Sequence, residues 1–394
     1  MGKKLDRFID RSKTNAEKYR LTKELFGTDD LLPMWVADMD IATPHCVFKD
    51  IKKRLKHPLL GYEEFPKTAK RAQSLWLEDK HQIKIDIDDI IYSPSVVTSI
   101  NIAIQAFTNI GDEVIVQPPV YFPFFSSIKN NNRKVLYNPL KKSDQGIYTF
   151  DISDLISKIT PKTKLLLLCS PHNPVGRVYT KDELKQLLDI CIKYNIVIFE
   201  DSIHSDIVYK GYKYIPISSI DKEIKKLAIT AYGVGKTFNL AGISTSTVVI
   251  QDEELKKRFL SVYNSIHFAQ GNIFGHIAFE SAYTKGAKWQ RKSIKHFSKN
   301  IDKLYKALLP YKHLITFNKP QATYLVWLDC SGLGISDKQL KKFFIEDLKL
   351  GLNSGLSFGK DGSKHMRINL AVSSEVLEDA INRMVKVLKN YHKI

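Results

Sequence analysis

Short apolar runs alternate with helical periodicity through the middle of the chain, between about residues 95 and 250. Apolar residues recur at three- and four-residue spacing from Val97 to Phe107, which predicts a helix. Runs of aliphatic and β-branched residues predict strands at 113–117, 164–169, 196–199 and 226–230. Strands that alternate with helices predict an α/β fold with a mostly parallel sheet.

The helix after the second of these strands has its own start signal. Thr180 and Glu183 form a T-x-x-E capping box, and the helix is expected to run to about Tyr194. After about residue 285 the pattern changes to a long helical stretch, strands near 324–328 and 366–372, and a final helix. We therefore expect three parts: an N-terminal segment (1–45) packing with a small α+β domain (286–394), and a large α/β domain (46–285).

Composition narrows the class of protein. The 394 residues are 43% hydrophobic and 26% charged, which is typical of globular proteins and excludes a disordered or collagen-like chain. No apolar stretch approaches the roughly 18 residues of a membrane span. The N-terminus lacks the apolar segment of a signal peptide. The four cysteines lie far apart without a C-x-x-C pair, so we expect reduced thiols, no metal site and a cytoplasmic location.

The net charge of +18 is the unusual number, because it could indicate a nucleic-acid partner. The positive residues are mostly lysines in dispersed pairs, and no block of five or six like charges occurs. Clustering marks a binding patch, so we interpret these lysines as solvated surface and expect no nucleic-acid partner.

Polar residues follow three of the predicted strands. Asn173, Asp201 and Lys236 each come after an apolar run, and the carboxyl ends of parallel strands meet at one edge of a sheet. An amide, a carboxylate and a lysine are therefore expected to converge there. Their order and placement favour an active site over three unrelated surface positions.

The segment around the lysine also resembles the end of a phosphate-binding P-loop, G-x-x-x-x-G-K-[ST]. Thr230 stands where that motif needs its first glycine, and the residues after Thr237 are apolar and interrupted by glycine, a poor start for the required helix. A nucleotide-binding ATPase is therefore disfavoured.

Further segments carry a specific resemblance: MWVADMD at 34–40, Gly61-Tyr62 and SPHNPVGRVY at 170–179. Together with the strand-end residues, they are similar to fold-type I pyridoxal 5′-phosphate (PLP) enzymes of the class I/II aminotransferase superfamily. Within that group the chain resembles the MalY/PatB-type cystathionine β-lyases, from about Asp6 to the last helix. The resemblance implies a large domain with a mostly parallel sheet and a smaller α+β domain.

The residue types fit the chemistry of PLP. Lys236 can hold the cofactor aldehyde and later move a proton, and Asp201 can keep the pyridine nitrogen protonated. The resemblance also implies that Asn173 donates to the ring O3′ and that Tyr121 covers the ring. It implies cofactor contacts at Tyr62, Val96, Val97, Tyr121, Asn173, Asp201, His204 and Lys236, catalytic roles for Lys236, Tyr121 and Asp201, and substrate contacts at Trp35, Ala37 and Arg367.

The resemblance also implies how several of these residues would make their contacts. The backbone amides of Val96 and Val97 would cradle the phosphate at a helix N-terminus, and Arg367 would bind the substrate carboxylate bidentately. Tyr62 would reach the phosphate of a neighbouring subunit, which implies a homodimer with shared sites. His204 could ligate a metal, but no second His or Cys stands at metal spacing, so a supporting or packing role is favoured.

The chain departs from the family pattern at four positions. Gly233 and Gly235 stand where serine is common, Ser202 replaces a glutamate, and Ser95 replaces a glycine in the phosphate turn. A missing hydroxyl donor to phosphate would cost about 1–2 kcal/mol in cofactor affinity unless replaced. Ser95 and Ser244 are the candidates to replace it.

The resemblance predicts a β-lyase that releases thiol from L-cystathionine or related cysteine S-conjugates and yields pyruvate and ammonia. An aminotransferase of the same fold is the alternative, and the segments 35–40 and 61–62 favour the lyase. A regulatory protein built on the PLP fold, which normally carries an extra N-terminal DNA-binding domain, is a more distant alternative. Only about 90 residues precede the phosphate turn, and the resemblance already accounts for most of them.

Overall fold

The predicted alternation of strands and helices is present in the structure, a computed structural model that describes residues 5–267 and 271–391. The strands within these ranges are β1 Leu32–Pro33, β2 Ile90–Ser93, β3 Glu113–Val116, β4 Lys134–Tyr137, β5 Lys141–Lys142, β6 Tyr148–Thr149, β7 Thr163–Cys169, β8 Val197–Asp201, β9 Ala228–Gly233, β10 Ser246–Val249, β11 Leu325–Asp329, β12 Leu350–Gly351, β13 Asn353–Ser354 and β14 His365–Asn369. The α-helices are α1 Glu17–Arg20, α2 Thr22–Phe26, α3 His45–Arg54, α4 Lys67–His81, α5 Val96–Phe107, α6 Pro123–Asn130, α7 Ile152–Lys158, α8 Lys181–Tyr194, α9 Val234–Thr237, α10 Glu253–Ser265, α11 Ile273–Lys285, α12 Ala287–Leu308, α13 Asp337–Lys342 and α14 Ser374–Lys389.

The main sheet has seven strands in the order β2-β10-β9-β8-β7-β3-β4. Strand β10 runs antiparallel to both of its neighbours, and the other pairs are parallel. In β7 every residue from Leu165 to Cys169 is buried, as expected for a parallel strand covered on both faces. The fold is therefore the α/β arrangement predicted from the sequence.

The predicted strands are confirmed with small shifts at their ends. Strand β8 extends to Asp201, so the carboxylate is the last residue of the strand rather than the first after it. Strand β9 begins at Ala228 because a 3₁₀ turn precedes it, and it continues to Gly233 because β10 pairs with it as far as that residue. The local pattern could not show this pairing.

Capping side chains mark the start of several helices. The Ser95 hydroxyl accepts from the backbone N–H of Thr98 at the start of α5. The Thr180–Glu183 capping box is present in full at the start of α8, which confirms the prediction. Helix α9, which carries Lys236, has four residues, so the long helix that a P-loop requires is absent at this described position.

The C-terminal part has its own three-stranded antiparallel sheet, in the order β11-β14-β13. Its core is formed by the buried faces of that sheet and of helices α12 and α14. Met34, Met39 and Ile41 of the N-terminal segment pack into the same core. Strand β1 pairs in parallel with β12, which ties the N-terminal segment to this part of the chain.

The structure also shows the state of the cysteines and the character of the helices. Cys46, Cys169, Cys191 and Cys330 are all free thiols. Within residues 5–267 and 271–391, no helix combines the length and the apolar character needed to cross a membrane.

Candidate active site

A cavity of about 530 Å³ lies where the carboxyl ends of the parallel strands face the three-stranded sheet. Ten of the eleven residues that the sequence singled out line it: Trp35, Ala37, Val96, Val97, Tyr121, Asn173, Asp201, His204, Lys236 and Arg367. Tyr62 is the exception, because its side chain is 97% exposed and lies outside this cavity. The fold thus brings the predicted site residues together, except for Tyr62, which was expected to act in a second subunit.

Lys236 lies in the short helix α9, directly after the buried strand β9. Its Nζ donates a hydrogen bond to the carbonyl oxygen of Ala37, at 2.7 Å. Burial, with the positive charge of Arg367, lowers the pKa of Lys236 to about 8. A substantial share of the amine is therefore neutral near physiological pH, as a nucleophile or a general base requires.

Asp201 ends strand β8 and is buried. Its Oδ1 accepts from the backbone N–H of Ile203, at 3.2 Å. Burial raises the pKa of this carboxyl to about 6. It forms no ion pair with any residue in the described ranges, and a buried carboxylate is costly without a cation. A ligand with a positive group, such as a protonated ring nitrogen, would supply one.

The N-terminus of α5 opens into the cavity. The first-turn N–H groups of Val96 and Val97 have no carbonyl acceptor within the helix, and the helix dipole favours an anion beside them. The Ser95 hydroxyl lies 2.8 Å from Thr98 Oγ1 and caps the helix by accepting from Thr98 N, which leaves its own proton to donate. Ser95 and Ser244 both line the cavity, so both stay candidates to replace the missing phosphate donor.

Arg367, on β14, is a buried guanidinium without a carboxylate partner among the described residues. Its Nη1 donates to Asn173 Oδ1 at 3.0 Å, and its Nη2 donates to Asn353 Oδ1 at 2.7 Å and to the Trp35 carbonyl at 3.0 Å. The guanidinium lies 4.9 Å from the centre of the Phe358 ring. Burial lowers the pKa of Arg367 to about 10, so it stays charged at neutral pH. Its buried Nε has no hydrogen-bond partner within the described part of the chain.

Tyr121, Asn173 and His204 complete the cavity wall. Burial raises the pKa of Tyr121 to about 12, so the phenol is neutral. Because Asn173 uses its oxygen for Arg367, its amide N–H₂ group can donate to a ligand. His204 is buried, and its Nδ1 has no hydrogen-bond partner among residues 5–267 and 271–391. Burial first, and then the charges of Lys236 and Arg367, hold the pKa of His204 well below its usual value, so this ring is neutral.

The sequence did not reveal how the segment 35–41 is fixed over the site. The Ala37 carbonyl accepts from Lys236 Nζ and also from the Tyr324 hydroxyl, at 2.8 Å. Asn369 donates from Nδ2 to the Val36 and Asp38 carbonyls, each at 2.6 Å. These contacts join residues about 200 to 330 positions apart, so no local pattern could have indicated Tyr324 or Asn369.

Ser202, one of the departures from the family pattern, shares a buried hydrogen-bond network with Glu200, two residues earlier in the chain. The Tyr214 hydroxyl lies 2.7 Å from Ser202 Oγ and donates to Glu200 Oε1 at 3.0 Å. Thr230 also donates to this carboxyl, at 3.2 Å. Burial raises the pKa of Glu200 to about 8. Glu200 thus places a carboxyl beside Tyr214 where Ser202 has only a hydroxyl.

The two glycines near the lysine differ in the space around them. A Cβ at Gly235 would meet nothing closer than 3.5 Å, an ordinary contact, whereas a Cβ at Gly233 would lie 2.9 Å from Ile203 Cδ1 and 3.2 Å from Ser246 Cβ. Only position 235 therefore has room for a serine without rearrangement.

Comparison with known proteins agrees with this geometry. The profile of the family "Aminotransferase class I and II" matches residues 30–384. The chain belongs to this family. Among relatives in the family, it is 36% identical to cystathionine β-lyase PatB of Bacillus subtilis, over 97% of this chain and 99% of PatB. It is 28% identical to protein MalY of Escherichia coli, over 97% of each chain.

Solved structures in the same family superimpose over almost the whole chain. A PLP-bound protein of Clostridium difficile 630, named there as an aminotransferase, aligns with a TM-score of 0.96 at 40% identity and covers 98% of this chain and all of that one. Cystalysin from Treponema denticola, whose crystal structure contains PLP, aligns with a TM-score of 0.95 at 33% identity and covers 100% of both chains. The fold and the branch implied by the sequence are thereby confirmed.

Proposed function

We propose that this chain is a PLP-dependent carbon–sulfur β-lyase that acts on L-cystathionine or related cysteine S-conjugates. The observation that carries the proposal is one cavity that brings three charged groups together: a partly neutral lysine (Lys236), a buried carboxylate (Asp201) and a buried guanidinium (Arg367). Among the described residues, neither Asp201 nor Arg367 has an ion-pair partner. The similarity to PatB, which is named a cystathionine β-lyase, supports the same activity, and the similarity to cystalysin supports the cofactor.

The donor set of the cavity fits PLP group by group. Lys236 would hold the cofactor covalently, Asp201 would pair with its ring nitrogen, and the N–H groups of Val96 and Val97 would bind its phosphate. Tyr121 lines the same cavity and offers an aromatic face to the ring. When bound, PLP supplies an electron-withdrawing ring that stabilises negative charge at the substrate Cα.

The protein's own residues then account for binding and proton transfer. Arg367 would bind the substrate carboxylate through its unpartnered donors, and its contact with Asn173 fixes the guanidinium in place. The neutral amine of Lys236 would take the proton from Cα. The Cβ–S bond then breaks and the thiolate leaves with the bonding electrons. Overall, L-cystathionine and water give homocysteine, pyruvate and ammonia.

The direct test is to incubate the PLP-loaded protein with L-cystathionine and to measure thiol, pyruvate and ammonia. The lyase predicts equal amounts of all three, and it predicts that Lys236→Ala abolishes their release. An aminotransferase predicts amino-group transfer that continues only while a keto acid is supplied, without thiol release. That second result would overturn the lyase assignment.

We also infer a homodimer in which Tyr62 completes the partner's site. The support is the exposure of Tyr62 and of the neighbouring Leu59 and Leu60, which form an apolar surface outside the chain's own cavity. Mixed dimers of Lys236→Ala and Tyr62→Ala chains would test this, since one of their two sites would be intact. Activity above that of either variant alone is expected, and activity no higher than theirs would contradict shared sites.

The division into 1–45, 46–285 and 286–394 is part of the same proposal. It is supported by the packing of Met34, Met39 and Ile41 into the C-terminal core. A cytoplasmic location, which the free thiols favour, also stays a prediction.

A further inference from the structure

The segment 10–20 crosses the rim of the active-site cavity and is anchored by buried charges. Lys18 is fully buried, with Nζ 2.9 Å from Asp40 Oδ2 and 3.2 Å from Asp38 Oδ1. Arg11 binds the same two carboxylates, through Nη2 to Asp38 at 2.7 Å and through Nη1 to Asp40 at 2.9 Å. Two cations and two carboxylates therefore neutralise one another at this rim.

The backbone next to Lys18 is fixed as well. Trp35, which lines the cavity, donates from its indole Nε1 to the Lys18 carbonyl at 3.1 Å. Its ring meets Phe26 edge-on, with the ring centres 6.3 Å apart. Because Lys18 is buried and its side chain and backbone are both bonded, the adjacent residue Glu17 is held at a defined place on the cavity rim.

Glu17 lines the cavity and its side chain reaches solvent. In residues 5–267 and 271–391 its carboxylate forms no ion pair, in contrast to Asp38 beside it. The negative charge of Glu17 acts on two titratable groups inside the site. Burial dominates the pKa values of Tyr121 and Lys236, and Glu17 adds to the rise of the first and opposes the fall of the second.

The positions of the other charged side chains indicate how a substrate would lie in the cavity. Arg367 and Asp201 are buried at the inner end of the cavity, whereas Glu17 is exposed at the mouth. A substrate whose carboxylate binds Arg367 must extend its sulfur substituent away from the closed inner end. A free carboxylate at the mouth then faces whatever group that substituent carries.

We propose that Glu17 determines substrate specificity by binding a positively charged amino group on the sulfur substituent of the substrate. This inference rests on the proposed β-lyase function and narrows its substrates to cysteine thioethers whose leaving thiol carries an ammonium group. The distal amino group of L-cystathionine belongs to this class, and a plain S-alkyl substituent does not.

The test compares two thioethers of equal length, S-(2-aminoethyl)-L-cysteine and S-propyl-L-cysteine, with the PLP-loaded full chain. The readout is the ratio of their kcat/KM values for pyruvate release. Glu17→Gln is expected to lower the aminoethyl-to-propyl ratio roughly 3- to 10-fold, the range for one solvent-facing ion pair. Glu24→Gln is the matched control, because Glu24 is exposed on helix α2 and does not line the cavity.

A charge reversal provides a gain of function that misfolding cannot imitate. Glu17→Lys is expected to raise kcat/KM for S-(2-carboxyethyl)-L-cysteine while lowering it for the aminoethyl compound. If the ratio in Glu17→Gln equals that in Glu24→Gln while both thioethers are cleaved, the inference fails and the proposed function stands. If the wild-type chain releases pyruvate from neither thioether and not from L-cystathionine, the proposed function fails and the inference fails with it.

Discussion

Arg367 donates a hydrogen bond to Asn173 across 3.0 Å, and this contact joins the three-stranded sheet to the loop that follows β7 of the main sheet. The same guanidinium binds Asn353 and the backbone of Trp35. Three distant parts of the chain therefore determine where its charge lies. This buried cation lines the cavity and has no carboxylate partner among residues 5–267 and 271–391.

This geometry predicts a large effect of Arg367→Lys. Lysine keeps the charge but loses the planar fork that holds Asn173 and Asn353, so the substrate carboxylate loses a fixed partner. We expect kcat/KM for L-cystathionine to fall, and the fall should correspond to a loss of about 2–4 kcal/mol in transition-state stabilisation. Arg383→Lys is the control, since Arg383 pairs with Asp379 on the exposed face of α14. Equal kcat/KM values for the two variants would contradict a role for Arg367 in substrate binding.

The pKa of Lys236 predicts how cofactor attachment depends on pH. Only the neutral amine reacts with the PLP aldehyde, and burial lowers the pKa of this lysine from 10.5 to about 8. The rate of attachment to cofactor-free protein should therefore rise with pH and level off above about pH 8. Asp201→Asn should move the midpoint lower, because the charge of Asp201 favours the protonated amine. Stopped-flow absorbance measures this rate, and a midpoint near 10 would show that the site does not perturb the lysine.

The glycine before the lysine gives a second test of the cofactor site. Gly235→Ser places a hydroxyl on the cavity wall without a clash, and a new hydrogen bond to phosphate should tighten PLP binding about 5- to 10-fold. Gly235→Ala fills the same space without a donor and should leave the affinity unchanged. Gly233→Ser should bring a smaller gain, because its Cβ would lie 2.9 Å from Ile203 Cδ1 and 3.2 Å from Ser246 Cβ, so these neighbours would have to shift. Equal PLP affinities for the Ser and Ala variants at 235, measured by fluorescence titration, would argue against a phosphate at this wall.

The buried ion pairs at the cavity rim predict a stability effect. Lys18→Met leaves Asp38 and Asp40 with Arg11 as their remaining cation, so the free energy of unfolding should fall by about 3–5 kcal/mol. Lys303→Met removes an exposed ion pair with Glu378 and should cost less than about 1 kcal/mol. Guanidinium unfolding of both variants measures the difference. A loss at Lys18 no greater than that at Lys303 would mean that this network does not anchor the rim.

The sequence revealed the parts of this site that depend on local pattern. A continuous buried run such as β7 is visible in the sequence, and the residues after it, including Asn173, follow from that strand's end. The antiparallel strand β10 was not predicted, because its position depends on pairing with β2 and β9. Asn353 and Glu17 were missed for the same reason. Asn353 reaches the cavity through its contact with Arg367, and Glu17 through the ion pairs of its neighbour Lys18 with Asp38 and Asp40. Neither has a distinctive sequence neighbourhood.

The covalent attachment of PLP to Lys236 is the central claim, and the visible absorbance spectrum of the purified protein tests it most directly. Protein reconstituted with PLP should carry a visible band of the lysine-linked cofactor that borohydride abolishes. Lys236→Ala should lack this band, whereas Lys210→Ala, at an exposed position outside the cavity, should retain it. A wild-type protein that stays colourless after reconstitution, or a Lys236→Ala variant that keeps the borohydride-sensitive band, would contradict the account.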